Sequence, residues 1–180
     1  MPETPLQLRQ SPQQYRQRML GYIGGGDPLK LLAAAPKRLE RLVKGFHAAT
    51  LRKRPAPQKW SIVEIVLHLT DSELARSFRI RLILGTPGTP LQAFDQDAWV
   101  VALHYDKRSV QKALEEFRVL REANLALFRT LSPKQWKQEG FHAERGKETV
   151  ESLVRLAAGH DINHIRQIEA ILAAHRRSRV

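Results

Sequence analysis

The chain has 180 residues, 30 lysines and arginines against 18 aspartates and glutamates, a net charge of +12 and no cysteine. That length suffices for one domain with a proper hydrophobic core, while the missing cysteines exclude disulfides, protein thiolate nucleophiles and cysteine-ligated zinc sites. No apolar run reaches the roughly 18–20 residues that span a bilayer, and the start, Met1-Pro2-Glu3-Thr4-Pro5, lacks the basic and apolar blocks of a secretory signal, so a cytoplasmic protein with no membrane partner is expected.

The charge is unevenly spread. Residues 1–60 carry 12 lysines and arginines against 3 acids, residues 61–120 carry 7 against 8, and residues 121–180 carry 11 against 7. The excess gathers in Leu51-Arg52-Lys53-Arg54 and Arg176-Arg177-Ser178-Arg179. No aromatic residues are interleaved with these clusters for base stacking, and no helix-turn-helix or zinc-finger pattern accompanies them. They read as solvated surface, and any nucleic-acid binding is expected to be weak, sequence-blind and steeply salt-sensitive.

In chain order, residues 1–26 form a polar amino-terminal extension with a short amphipathic turn around Tyr15 to Tyr22, ending in Gly24-Gly25-Gly26. Asp27-Pro28 has the N-cap and first-turn proline of a helix start. The helix it opens carries Leu29, Leu32, Ala33, Leu39, Leu42 and Val43, and Pro36 is expected to kink or split it. Residues 52–59 read as a loop. Ser61 and Glu64 have capping-box spacing and open a second helix over residues 62–84. Its apolar side is Ile62, Ile65, Val66, Leu69, Ile80 and Ile83, bordered by a polar strip of Ser61, Glu64, His68, Ser72 and Arg79. A loop over residues 86–97 leads to a short helix near Trp99. Asp106 or Ser109 caps a third helix through Phe128, Ser132-Pro133 opens a turn through Trp136, and Gly140 to Lys147 is a loop containing His142. Thr149 caps the last helix, from Val150 to about Ala174. No segment shows a period-2 strand pattern. Four long amphipathic helices predict an all-α bundle over residues 27–175, followed by a basic tail at 176–180.

His160 and His164, four apart in the last helix, share one face. Leu153, Leu156, Ile168 and Ile171 fall on or beside that face, so it points into the core. Two stacked imidazoles there can be metal ligands or hydrogen-bonded core residues. His68 on the polar strip is the candidate third ligand, and three imidazoles would leave an open position for water and substrate. The zincin pattern is absent, because Asp161 stands where its glutamate would be. Glu64 reads as a capping residue, and Asp71 and Asn163 as surface residues.

Lys59-Trp60-Ser61-Ile62-Val63-Glu64-Ile65-Val66-Leu67-His68-Leu69-Thr70-Asp71-Ser72-Glu73, then Phe94-Asp95-Gln96-Asp97-Ala98-Trp99, then Gly140-Phe141-His142-Ala143-Glu144-Arg145-Gly146 and finally Gly159-His160-Asp161-Ile162-Asn163-His164 occur in an order that resembles the DinB/YfiT-like superfamily. The resemblance implies an up-down-down-up four-helix bundle, often a homodimer. It also implies a divalent metal, zinc or nickel, on His68, His160 and His164. It further implies an enzyme acting on a small-molecule substrate, as a transferase using a low-molecular-weight thiol or as a hydrolase. Arg79 or Arg81 would then hold an anionic group, with Asp95, Asp97 or His142 at the mouth of the site. The alternative is a non-enzymatic helical dimer whose basic ends bind nucleic acid and whose histidines are structural.

Overall fold

The structure, a computed structural model, describes residues 11–177; residues 1–10 of the amino-terminal extension and Ser178, Arg179 and Val180 of the basic tail lie outside the described residues. The elements in order are α1 (Pro12–Ile23), α2 (Pro28–Val43), α3 (Ala48–Arg52), α4 (Ile62–Gly85), β1 (Pro90–Leu91), α5 (Gln96–Ala102), α6 (Val110–Thr130), α7 (Pro133–Trp136), β2 (Glu139–His142), β3 (Gly146–Thr149) and α8 (Val150–Arg177). Among the described residues no helix is long and apolar enough to cross a membrane.

The helix starts follow the sequence chemistry. The Asp27 carboxylate accepts from the Leu29 and Lys30 amides. Ser61 and Glu64 close a reciprocal capping box. Ser109, rather than Asp106, caps α6, and the Thr149 hydroxyl accepts from the Ser152 amide at the head of α8.

The four long helices α2, α4, α6 and α8 form an up-down-down-up bundle, and side-chain pairings give their directions. Thr70 donates to the Ala113 carbonyl and Ser77 to Asn124, so α4 and α6 run parallel. Leu32 lies in one core cluster with Val154 and Leu125, whereas Leu39 and Val43 lie in the other with Ile168 and Val110. That makes α2 parallel to α8 and antiparallel to α6. α2 and α4 sit diagonally, as do α6 and α8, whereas α4 and α6, being parallel neighbours, need the long crossover that contains β1 and α5.

Three features differ from the sequence expectation. First, α2 is continuous through Pro36. Proline leaves the carbonyl four residues earlier without its intrahelical donor. That carbonyl belongs to Leu32, and it accepts a 2.8 Å bond from the buried Arg121 guanidinium instead. Second, β1, β2 and β3 form a small sheet, with β1 parallel to β2 and β2 antiparallel to β3. Strands of two to four residues are too short to show period-2 patterning. Third, the turn expected at Tyr15 to Tyr22 is a three-turn helix opened by a Ser11–Gln14 capping box. It lies along α8, with Met19 fully buried.

Gly159 explains how α1 comes so close. A Cβ built on it would stand 2.0 Å from the Met19 carbonyl oxygen, closer than any side chain tolerates. In an unconstrained helix interior, Gly→Ala stabilises by roughly 1 kcal/mol. Gly159→Ala is expected to do the reverse, destabilising by about 1–3 kcal/mol through overpacking and loosening α1. Denaturant melts and limited proteolysis within residues 12–23 would check this; a stabilised, equally resistant variant would show that α1 does not pack on Gly159.

Candidate metal centre

The site is built where α4 and α8 face each other in antiparallel register. The Ser61–Glu64 capping box fixes the start of α4, and Glu64 is anchored from outside by the Arg54 guanidinium. Two helical turns on, His68 turns inward. On α8, the four-residue spacing stacks His160 and His164 opposite it. The His160 Nε2 lies 3.0 Å from the His68 Nε2 and 3.2 Å from the His164 Nε2, and all three rings are buried.

Burial holds His68 and His160 well below the ordinary imidazole range, and the neighbouring His164 and Arg76 push the same way. Burial lowers His164 to about 4, against the opposing effect of its bond to Gln167. The rings are therefore neutral at pH 7. The His164 Nδ1 is 3.0 Å from the Gln167 Oε1, so Nδ1 donates there and Nε2 presents a bare lone pair toward the other two rings. Converging lone pairs repel unless a proton or a cation lies among them. Two imidazole nitrogens on a tetrahedral zinc about 2.0–2.1 Å away would be roughly 3.4 Å apart, close to the spacings found. The donor set thus fits a divalent ion.

Trp60 closes one side. Its ring packs 4.7 Å from His68 and 6.2 Å from His164, centroid to centroid, and Asp97 accepts from its Nε1 at 3.2 Å. On the other side the imidazoles border a cavity of about 310 Å³. Leu153 and Leu156 of α8 supply its apolar part, and α1, α4 and the β2–β3 hairpin supply its polar walls.

The remaining residues singled out in the sequence divide. Arg79 lines the cavity, lies over the Phe94 ring and donates to the Gln92 carbonyl at 3.1 Å. His142, the last residue of β2, lines it too. Asp97 acts one residue removed, through Trp60. Asp95 is not in the cavity; it caps α5 by accepting from the Asp97 and Ala98 amides. Arg81 is not there either: two residues beyond Arg79, it turns to Asn124 and Ser77 on the α6 side. Asp71 is buried rather than on the surface, accepting from Tyr105 at 2.5 Å and Arg108 at 3.2 Å. Sequence reasoning missed Tyr15 and Arg18 on α1, Arg76 on α4 and Arg145 on the hairpin, all of which line the cavity. Arg76 had a signal: it continues the His68–Ser72 strip by one more four-residue step.

Comparisons with known proteins bear on the family and the fold. Residues 31–168 match the model of the DinB superfamily. A relative from Oceanobacillus iheyensis, named "Putative metal-dependent hydrolase OB0413", is 26% identical over 145 residues, 81% of this chain and 83% of that protein. "Putative metal-dependent hydrolase YfiT" of Bacillus subtilis is 26% identical over 142 residues, 78% of this chain and 79% of its own length. The solved structure of YfiT, described as having an unusual four-helix bundle topology, aligns with a TM-score of 0.77 at 23% identity, covering 92% of this chain and 90% of that one. That likeness establishes the fold.

The neutral buried imidazoles carry a stability signature. Unfolded, each titrates near 6.5; folded, each binds its proton only at lower pH. Below pH 6.5 the unfolded state therefore binds more protons, and stability falls as pH drops toward 4. Chelator-treated protein is expected to show a melting temperature that declines over this window, with a shallower decline in His164→Gln. Identical slopes in the two proteins would contradict neutral burial of His164.

Proposed function

This chain belongs to the DinB superfamily. On that premise we propose a metal-dependent enzyme in which His68, His160 and His164 hold a divalent ion, zinc or nickel. In this reading a small nucleophile, water or a low-molecular-weight thiol, meets an electrophilic small-molecule substrate in the adjoining cavity. The observation that carries the reading is the convergence of three buried, neutral imidazoles on one point. Imidazole donors suit zinc and nickel, and three protein ligands leave a position for an exchangeable group. An ion held there supplies Lewis acidity, making a water or thiol nucleophilic near neutral pH.

The chain's own residues do the rest. Gln167 accepts from the His164 Nδ1 and so keeps that ring's tautomer and orientation. The Trp60 indole, tethered by Asp97, covers His68 and His164 from the side away from the cavity and keeps bulk water off them. Leu153 and Leu156 give the reactants an apolar floor. The Ser72 hydroxyl, 3.4 Å from the His68 Nε2, is the nearest neutral donor on the α4 wall. The names of the curated relatives support the hydrolytic arm. In the thiol arm the sulfur must come from a cosubstrate, because the chain has no cysteine.

The test is elemental analysis of untagged protein purified without chelator, beside His164→Ala. Wild type is expected to hold near-stoichiometric metal. His164→Ala is expected to stay soluble and helical, to bind metal at least roughly tenfold more weakly and to lose turnover. Added zinc should raise the wild-type melting temperature, by about 2.7 kcal/mol of stabilisation at a hundredfold excess over Kd, but not that of the variant. Turnover without added thiol would identify the hydrolase, and turnover only with thiol the transferase. Full metal content and activity in His164→Ala would overturn the proposal.

A further inference from the structure

The cavity beside the histidines gathers positive charge on its polar wall. Arg18, Arg76, Arg79 and Arg145 all line it, against one lining carboxylate, Glu144. Their pairing is incomplete. Arg145 is held bidentate by Glu148. Arg76 reaches Glu73 only at 3.5 Å, and both Glu73 oxygens already accept shorter bonds from Arg121. Arg79 rests on a carbonyl and an aromatic face, and Arg18 stands 5.9 Å from the Tyr15 ring centroid. The arginines are close enough to act on one another: burial, then Arg145 and Arg76, lower Arg79 to about 10, so it is still charged at neutral pH.

His142 adds an independent observation. It is 97% buried, with 3% of its surface exposed. Its Nδ1 accepts from the Glu144 amide at 3.2 Å, so in the neutral ring the proton sits on Nε2. That Nε2 is buried and has no hydrogen-bond partner among the described residues. A buried donor without an acceptor is costly, and the His142 side chain lines the same cavity as the arginines. Crowded cations beside an orphaned N–H form an arrangement completed by an anion.

We infer that this wall, made by Arg18, Arg76, Arg79 and His142, is an anion subsite, and that the substrate carries a phosphate or carboxylate group. The inference rests on the proposed function and names its substrate class. Arg76 lies close enough to act on all three imidazoles and Arg18 on His164, so the anionic group would anchor the molecule with its electrophilic part beside the imidazoles. A cavity of about 310 Å³, at the small end of ligand sites, suits a small metabolite rather than a polymer. Arg18 belongs to α1, outside the residues 31–168 that match the family model.

The experiment is calorimetric titration of the full-length, chelator-treated protein with inorganic phosphate and, separately, with succinate, at low ionic strength. Saturable one-to-one binding of at least one anion is expected, and whichever binds tighter identifies the phosphate or carboxylate source. Arg79→Gln, Arg76→Gln and Arg18→Gln should each weaken it roughly tenfold, the loss of one charge-assisted contact, and His142→Phe should weaken it several-fold. Arg18 is exposed, so its substitution leaves the core undisturbed, and circular dichroism melts verify the fold of all four. His164→Ala should bind the anion like wild type, so a failed metal reading and a failed anion subsite give different results. No saturable binding of either anion, or affinities within twofold of wild type in all three arginine variants, would overturn the inference. So would loss of metal uptake in the arginine variants alongside loss of anion binding, since the wall would then be part of the histidine centre's scaffold.

Discussion

One buried guanidinium holds the bundle in register. Arg121 of α6 donates twice to Glu73 of α4, at 3.0 Å each, once to Asp161 of α8 at 2.7 Å, and once to the Leu32 carbonyl of α2 at 2.8 Å. All four long helices meet on it. Asn124 adds a 2.7 Å bond to Glu73. Buried ion networks are often no more stabilising than an apolar core of equal volume, but removing one member leaves uncompensated charge and costs about 3–5 kcal/mol. What this network contributes is geometry. Glu73 lies five residues after His68, and Asp161 directly follows His160. Tying the two acids to one guanidinium therefore sets the sliding position of α4 against α8, which decides whether the imidazoles meet.

The same constraint makes sense of an otherwise odd helix. From Ile62 to Glu73 every residue of α4 is buried, including six polar ones. Five of these have partners suited to them: Glu64 has Arg54 and the Ser61 amide, Thr70 has two carbonyls, Asp71 has Tyr105 and Arg108, Glu73 has Arg121 and Asn124, and Ser72 sits by His68. His68 is the exception. Its Nε2 lies 3.0 Å from that of another neutral imidazole, a spacing that one shared proton or a bound cation can bridge. The contrast within a single helix is what favours the metal reading over a set of satisfied core histidines.

Much of this was readable in the chain. The caps at Asp27, Ser61, Ser109 and Thr149 marked the helices, and the four-residue spacing of His160 and His164 with His68 on a polar strip marked the centre. What escaped depends on contacts between residues distant in sequence. Pro36 reads as a break because nothing local reveals that Arg121 takes over the Leu32 carbonyl. Residues 12–23 read as an extension because their helix depends on Gly159, far along the chain, leaving room for Met19. Arg76 reads as half of an i,i+3 surface pair with Glu73, since the sequence hides that Glu73 is buried and shared. The resemblance offers Arg81 for an anionic group and Asp95 for the mouth, but each is turned elsewhere by a local partner, Asn124 for one and the head of α5 for the other.

The claim on which everything functional rests is that His68, His160 and His164 bind a single ion together. X-ray absorption at the metal edge of zinc- or nickel-loaded protein measures this most directly. The expected spectrum has three imidazole nitrogens in the first shell, with the multiple-scattering features of their rings, falling to two in His68→Ala. A first shell dominated by carboxylate oxygens, or a spectrum unchanged in His68→Ala, would contradict it.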